Sequence, residues 1–317
     1  MKYVYSVAEH SFVVTRSAEC PLWCGKIASA YADFELASAN ESNLLFHLQV
    51  EYGEIVPPVA PFQYVAQVPA SDFVFELWRN ADGDYVMMVA LEGDAPCAVL
   101  YADQKFSQTK LVLAAGARNE DAIINNAIML CYAFAGAYRE TLLFHASVPH
   151  IGDTAFLFQG RSGTGKSTHS QLWLEHIPHT ALLNDDNPVV RIAPDGQVQV
   201  WGTPWSGKTP CYRNVCCSLG GALRLQQAGE NSISRLKNIE AFASLLASCS
   251  AMMWDKAMYA AICATVEKIV AQVPAYHLRC LPNREAAELS YHALSRKNGA
   301  WKGGERCENG GAICGNS

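Results

Sequence analysis

Residues 154–168 of the chain read TAFLFQGRSGTGKST. The first five letters form a short apolar run, which is typical of a buried β-strand. Residues 160–167 then match the pattern G-x-x-x-x-G-K-[S/T] of a phosphate-binding loop, or P-loop. A helix is predicted to follow through Glu175. The stretch therefore predicts a strand, a loop and a helix in succession, which is the setting that a P-loop requires.

This pattern predicts a binding site for a nucleoside triphosphate. Glycines allow the main chain to curl around phosphate oxygens, Lys166 supplies a positive charge to the outer phosphates, and the Ser167 hydroxyl is a ligand for Mg²⁺. The alternative is a glycine-rich turn that carries a surface lysine. The residues expected to hold the nucleotide are Gly160, Arg161, Ser162, Gly163, Thr164, Gly165, Lys166, Ser167 and Thr168.

Two acidic residues follow the next predicted strand. The sequence Asn184-Asp185-Asp186 comes directly after residues 180–183 and contains both of them. Carboxylates at the end of a strand face ligands in many α/β sheets, so one could bind Mg²⁺ and the other could accept a proton from a hydroxyl. A pair of solvated turn residues is the alternative interpretation.

His145 precedes the loop at the beginning of the preceding hairpin. Residues 142–148 and 154–158 read as two strands joined by a turn over residues 149–153, and this register places His145 opposite Leu157. From there His145 could assist proton transfer near the terminal phosphate. A core histidine bonded to a main-chain carbonyl is the competing interpretation. A second loop, residues 202–208, offers Thr203, Ser206 and Lys208 as further polar groups.

The rest of the chain suggests three regions. Residues 1–118 read mainly as strands, including a hairpin around Asn80-Ala81-Asp82-Gly83-Asp84. Residues 119–297 alternate strands with helices, beginning with an apolar helix near Asp121 and ending with a helix that Asn283 could cap. Residues 298–317 are rich in Gly, Asn, Lys and Glu and are predicted to form a flexible tail.

Composition excludes several classes of protein. Of 317 residues, 50% are hydrophobic and 17% are charged, which supplies enough material for a packed core. The net charge of −6 argues against nucleic acid as a partner. Twelve cysteines, among them Cys20 and Cys24, show no disulfide or zinc spacing. No signal sequence or membrane span is apparent, so a cytoplasmic protein with no membrane partner is expected.

Four of these segments together resemble the HPr kinase/phosphorylase family. They are His145, the P-loop, the pair Asp185-Asp186 and the sequence Gly-Thr-Pro-Trp-Ser-Gly of residues 202–207. The resemblance covers residues 120–295 and implies an α/β fold with a mixed sheet (α+β), namely a phosphoenolpyruvate-carboxykinase-like P-loop kinase core. The strand-rich N-terminal region lies outside it. The chain departs from the family in lacking the glutamate-containing metal-binding segment downstream of the aspartates.

The resemblance implies an ATP- and Mg²⁺-dependent kinase. It assigns the nucleotide phosphates to the loop and Lys166, the metal to Ser167 and Asp186, and the base to Asp185, with His145 beside it. The acceptor would be a hydroxyl of a peptide, a small protein or a metabolite. Related kinases form multimers, so the resemblance allows a homo-oligomer and leaves the oligomeric state of this chain open. A carboxykinase-like lyase and a nucleotide sensor without chemistry are the alternatives.

Overall fold

The computed structural model describes residues 1–17, 26–70, 73–207 and 209–295. In this part the chain is a mixed α/β protein with two mixed β-sheets and six α-helices. The fold class expected from the sequence is confirmed at this level. The predicted tail, Cys20, Cys24 and Lys208 lie outside the described residues.

The N-terminal sheet has eight strands and confirms the strand-rich reading of this region. Their order in the sheet is β1-β2-β3-β8-β7-β6-β5-β4, with β3 parallel to both β2 and β8. The predicted hairpin is the antiparallel pair β5–β6. The strands are β1 (Lys2–Val7), β2 (His10–Arg16), β3 (Leu44–Tyr52), β4 (Gln63–Ala70), β5 (Phe73–Arg79), β6 (Tyr85–Leu91), β7 (Ala98–Ala102) and β8 (Gln108–Leu113).

The second sheet has nine strands and contains the P-loop. Its main path is β12-β10-β11-β15-β14-β13-β9, and β17 adds to β15 while β16 adds to β17. The strands are β9 (Thr141–Leu143), β10 (Ala146–Ile151), β11 (Thr154–Gln159), β12 (Thr180–Asp186), β13 (Val189–Ile192), β14 (Val198–Trp201), β15 (Cys216–Gln227), β16 (Ser232–Arg235) and β17 (Ala275–Cys280). The twelve-residue strand β15 is the hub, because it pairs with β11, β14 and β17.

One predicted strand of this sheet is two strands. Residues 142–148 were expected to be continuous, yet β9 ends at Leu143 and β10 begins at Ala146. The two residues that separate these strands form hydrogen bonds elsewhere. The main-chain N–H of Phe144 donates to the carbonyl of Pro188, and that of His145 donates to the carbonyl of Ser248. These two residues therefore leave the sheet, and β9 pairs with β13 while β10 pairs with β11 and β12.

Six helices cover the sheets. They are α1 (Lys26–Tyr31), α2 (Glu120–Ala137), α3 (Lys166–His176), α4 (Asn238–Leu246), α5 (Lys256–Gln272) and α6 (Arg284–Ser295). Asn283 caps α6 as predicted, because its side-chain oxygen accepts a hydrogen bond from the N–H of Ala286 at 3.0 Å. None of the described helices has the length and apolar content needed to cross a membrane.

A single large hydrophobic cluster joins the two sheets. It contains core residues of β2, β3 and β8, the buried face of α2, and residues of β13 and α5. Asp255 links the two sheets by polar contacts as well. It caps α5, accepts a hydrogen bond from Tyr85 of β6 and forms an ion pair with Arg79 of β5. A smaller cluster lies under α3 and α6. The boundary at residue 118 stays a prediction.

Candidate active site

The P-loop joins β11 to α3, as the sequence predicts. Phe156, Leu157 and Phe158 are buried in the strand, and α3 begins at Lys166. Gly165 precedes the helix with φ of +93°, and Gly163 has φ of +79°, values that favour glycine. A side chain on Gly160 would lie 2.6 Å from Thr164 Oγ1. The glycines of the pattern therefore serve a tightly curled loop.

The loop leaves main-chain donors available. Thr164 is engaged within the loop, since its N–H and its hydroxyl both donate to the carbonyl of Arg161. Within the described part of the chain, the N–H groups of Gly163, Gly165 and Lys166 donate no hydrogen bond to another residue. These donors lie at the N-terminus of α3, where the helix dipole favours an anion. The loop therefore has the chemistry of a phosphate site.

Lys166, His145 and Asp186 form one hydrogen-bonded chain. Lys166 Nζ lies 2.9 Å from His145 Nε2 and 3.2 Å from the carbonyl oxygen of Gly160, while His145 Nδ1 lies 2.9 Å from Asp186 Oδ1. An ammonium group can only donate, so Nε2 accepts from Lys166. Nδ1 then carries the ring N–H, which donates a hydrogen bond to Asp186. The network therefore selects a neutral imidazole with its proton on Nδ1.

His145 lies closer to the P-loop than the sequence predicts. Ala146 pairs with Gln159, so His145 reaches the level of Gly160, and the expected position opposite Leu157 is wrong. The turn is shorter than expected: Ile151 pairs with Thr154, which leaves only Gly152 and Asp153 between the strands. A turn three residues shorter moves the register by three residues, and this shift brings the imidazole to Lys166.

The acid pair is part of a strand and does not follow it. Asp185 and Asp186 are the last residues of β12, where they pair with Ser147 and Ala146 of β10. Asp185 is buried, with 4% of its surface exposed, whereas the Asp186 side chain is 37% exposed. Neither residue therefore lies in a turn, and only Asp185 is shielded from solvent.

The two carboxylates face different neighbours. Asp185 shares a face of the sheet with Ser147, because paired residues project to the same side. The Ser147 hydroxyl lies 2.6 Å from that of Ser170 in α3, one helical turn after Ser167. Asp185 is thus on the α3 side of the sheet. Its carboxylate accepts no hydrogen bond from another described residue, whereas Asp186 is bonded through both oxygens, to His145 and to Asn187.

Asp186 is also held in a strained backbone conformation. Its φ of +148° is one that residues other than glycine rarely adopt, and such a conformation costs about 1–3 kcal/mol. Residues 202–207 hold it there: Ser206 forms a β-bridge with Asp186, and Gly207 N donates to the carbonyl of Asp185 at 2.6 Å. Strain maintained in this way is concentrated at functional sites.

The second predicted loop therefore braces the acid pair. Thr203 is fully buried. Its hydroxyl oxygen accepts a hydrogen bond from the Asn184 amide, and its O–H donates one to the carbonyl of Asn187. Trp205 is buried and donates to the Tyr31 hydroxyl at 2.8 Å. All four segments of the resemblance to HPr kinases meet at one place in the fold.

Charge and burial act together on Lys166. Burial lowers the pKa of its ammonium group, while the carboxylates of Asp186 and Asp185 oppose this shift. Both acids are thus close enough to act on the lysine electrostatically. The three groups form a compact site in which one cation faces two anions at the end of β12.

Two cavities flank the P-loop. One, of about 520 Å³, is lined by His145, Gly160, Arg161 and Ser162, by Arg224 of β15, and by residues of α4 and the segment after it. The other, of about 450 Å³, is largely apolar and is lined by Thr164, Gly165, Thr168, His169, Leu172, Leu225, Gln227, Ala228, Cys280, Leu281 and Pro282. A larger cavity of about 680 Å³ lies on the N-terminal sheet and includes no P-loop residue. Of these three cavities, only the two smaller ones are lined by described residues of the P-loop.

Sequence reasoning missed Arg224 and the α4 wall of the first cavity. Arg224 is the neighbour of Gln159 on β15, a strand that the sequence did not reveal. Leu223 and Leu225 are buried on either side of the exposed Arg224, so an alternating pattern was present. The preceding pair Gly220-Gly221 obscured it.

The site fits Mg²⁺ only together with phosphate oxygens. Among the described residues no group of three or more His, Cys, Asp or Glu side chains forms a ready metal site. Mg²⁺ commonly binds to one or two carboxylates plus substrate phosphates, so such a group is not required. Ser167, Asp185 and Asp186 carry oxygen atoms of the type that this mode would use.

No family model matches the chain, and no curated protein matches it.

Proposed function

We propose that this protein is an ATP- and Mg²⁺-dependent kinase that transfers the γ-phosphoryl group to a hydroxyl. Its core would be a phosphoenolpyruvate-carboxykinase-like P-loop domain similar to that of HPr kinases. The observation that carries the proposal is the hydrogen-bonded chain from Lys166 through His145 to Asp186, with Asp185 beside it. A P-loop lysine linked directly to a histidine and a carboxylate is suited to phosphoryl transfer, which depends on positioning and charge neutralisation.

The nucleotide would bind through the loop. The free N–H groups of Gly163, Gly165 and Lys166 and the Lys166 ammonium group hold the phosphates, with Ser162 and Thr168 at the edge of the loop. The largely apolar cavity beside Thr164 and Gly165 accommodates the nucleoside. When bound, Mg·ATP supplies the phosphoryl group and the divalent charge that neutralises it.

The hydrogen bonds favour a division of roles that differs from the family-based expectation. Asp186 fixes the His145 tautomer through Nδ1, and Nε2 has a lone pair that becomes free once phosphate oxygens engage Lys166. His145 then accepts the proton of the acceptor hydroxyl, and Asp186 is its positioning residue. Asp185, on the Ser167 side of the sheet, is left to bind the metal.

Binding and turnover measured on the same samples test the function. Calorimetry should detect Mg·ATP binding to the wild-type protein, and labelled ATP should show slow turnover. His145→Gln should lower turnover by about 100-fold or more with the Kd for Mg·ATP nearly unchanged, since a general base contributes about 10²–10⁴-fold. Binding with no turnover across charged and uncharged alcohols would instead indicate a sensor. Absence of binding would contradict the proposal altogether.

The dependence of turnover on Mg²⁺ concentration separates the two carboxylates. Asp185→Asn should raise the Mg²⁺ concentration needed for half-maximal turnover by about tenfold or more, because a charged ligand is lost. Asp186→Asn should lower the maximal rate and leave that concentration unchanged. The reverse result would restore the assignment of Asp185 as the base and Asp186 as the metal ligand.

A further inference from the structure

In the described part of the chain, the cavity beside His145 brings the P-loop together with α4 and β15. Its lining includes Gly160, Arg161 and Ser162 of the loop, together with Ala243, Ser244, Ala247 and residues 248–250. His145 also lines it, and its main-chain N–H donates to the Ser248 carbonyl at 2.7 Å. A molecule in this cavity would therefore contact both the phosphate loop and the imidazole.

Strand register directs Arg224 toward this cavity. Arg224 pairs with Gln159 in the parallel strands β15 and β11, so the two side chains project to the same face. The Gln159 amide donates to the hydroxyl of Ser244 in α4 at 3.1 Å, which identifies that face as the one covered by α4. The exposed Arg224 therefore lies on the α4 side of the sheet, where it lines the cavity.

The cavity carries an excess of positive charge. Arg161 and Arg224 line it, and within the described residues neither forms an ion pair with a carboxylate. The lining contains no acidic residue. Glu240, one turn earlier in α4, accepts a hydrogen bond from the N–H of Lys237. Two unpaired guanidinium groups are a suitable partner for a carboxylate or a phosphate.

We infer that this cavity binds the phosphoryl acceptor, and that the acceptor is a small anionic molecule bearing a hydroxyl and a carboxylate or phosphate group. The inference rests on the proposed kinase function and adds the class of its substrate. Arg224 and Arg161 hold the anionic group, which leaves the hydroxyl to reach His145. The O–H proton passes to His145 Nε2 as the oxygen bonds to the γ-phosphorus and ADP leaves.

The size of the cavity favours a small molecule over a folded protein. Its volume of about 520 Å³ lies within the range of small-molecule sites. Its lining combines P-loop residues with residues of α4 and the segment after it, so an acceptor bound there contacts both. A peptide serine flanked by acidic residues is the rival acceptor, and the experiment includes it.

The experiment uses the full chain saturated with Mg²⁺ and a non-hydrolysable ATP analogue, which prevents the probes from binding at the P-loop. Glycerate, glycerol 3-phosphate, uncharged glycerol and a short Asp-Ser-Asp peptide are then titrated by calorimetry at millimolar concentration. At least one of the two small anions should bind, and glycerol should not. The preference between glycerate and glycerol 3-phosphate distinguishes a carboxylate from a phosphate.

Matched arginine variants locate the binding site. Arg224→Gln should weaken binding of the anionic probe about tenfold or more, through loss of a charge-assisted hydrogen bond. Arg161→Gln, in the loop, gives the same test without altering a strand. Arg235→Gln is the control, because it makes the same charge change on exposed strand β16, away from the cavity lining.

Four outcomes would contradict the proposed acceptor site, and a fifth would contradict the kinase function. Equal binding of glycerol, unchanged affinity in both cavity variants, or binding of the peptide alone would overturn the inference, as would failure of every probe. Failure of the nucleotide analogue to bind would instead remove the proposed function. The two failures are therefore distinguishable in one experiment.

Discussion

Replacement of Gly163 by alanine tests whether the loop binds phosphate or is only a turn. Gly163 has φ of +79°, and a side chain there would meet nothing within 4 Å. The substitution therefore adds no steric contact, and its cost is that of the backbone conformation, about 1–2 kcal/mol for a residue with a side chain.

The chain offers a matched control in Gly196. This residue has φ of +85° in the turn between β13 and β14, and a side chain there would also meet nothing within 4 Å. Gly196→Ala should therefore lose the same 1–2 kcal/mol or so of unfolding free energy as Gly163→Ala. Urea denaturation of both variants measures this loss.

Only the loop variant should lose nucleotide affinity. If alanine relaxes toward negative φ, the peptide groups beside residue 163 turn and their N–H donors no longer face a phosphate. Loss of one charge-assisted hydrogen bond costs about 1.5–3 kcal/mol, which weakens the Kd for Mg·ATP by about tenfold to a hundredfold. Calorimetry on the wild type and both variants provides the comparison.

Two outcomes would refute this reasoning. If Gly163→Ala and Gly196→Ala bind Mg·ATP equally well, the loop amides do not hold phosphate and the sequence is a glycine-rich turn. If Gly163→Ala is as stable as the wild type, residue 163 does not adopt a left-handed backbone conformation.

Three further predictions concern stability, all measured by urea unfolding. Burial lowers the pKa of His10 to about 4, with Arg191 and Arg139 contributing, so its stabilising effect is present above pH 6.5 and is lost as the pH falls toward 4. This residue alone should reduce the unfolding free energy by about 2 kcal/mol between about pH 7.5 and pH 5, and His10→Gln should show a smaller decrease. Asp255→Ala should cost about 3–5 kcal/mol because it leaves buried Tyr85 and Arg79 without their partner, whereas Asp255→Asn retains the helix cap and should cost less. Gly202→Ala places a carbon 2.1 Å from the Arg213 carbonyl oxygen and should cost about 3 kcal/mol; an unchanged midpoint would contradict the close packing there.

Local signals made the P-loop predictable from sequence. The apolar strand, the glycines that allow positive φ and the helix after Lys166 all lie within about twenty consecutive residues, and each depends on its own neighbours. The same applies to the β5–β6 hairpin and to the Asn283 cap. Their structures follow from turn and cap chemistry that operates over a few residues.

Pro149 explains the wrong position of His145. Proline usually interrupts a strand, so the sequence indicated a turn from this residue onward. In the fold Pro149 remains within β10, at an irregularity in its pairing with β12 between Val148 and Pro149. A bulge tolerates the missing N–H donor. The strand thus continues to Ile151, and the histidine moves toward the loop.

Strand β15 was hidden for a different reason. Gly220 and Gly221 are residue types that weaken a strand interior, yet both lie inside the strand. A side-chain carbon on Gly220 would come within 2.4 Å of Thr154, and one on Gly221 within 2.4 Å of Leu294. These glycines are needed because β11 and α6 pack closely against β15. Contacts so distant in sequence leave no local pattern.

The two sides of the candidate active site therefore differ in how they are encoded. The residues proposed to bind phosphate form a contiguous motif, because a single curled segment can surround one anion. The rest of the cavity lining combines Arg224 of β15 with α4, more than fifty residues beyond the loop, and depends on strand pairing and helix packing for its position. Substitutions in β15 or α4 can thus alter the acceptor cavity while leaving the P-loop intact. We expect the choice of acceptor to depend on residues that no local motif reveals.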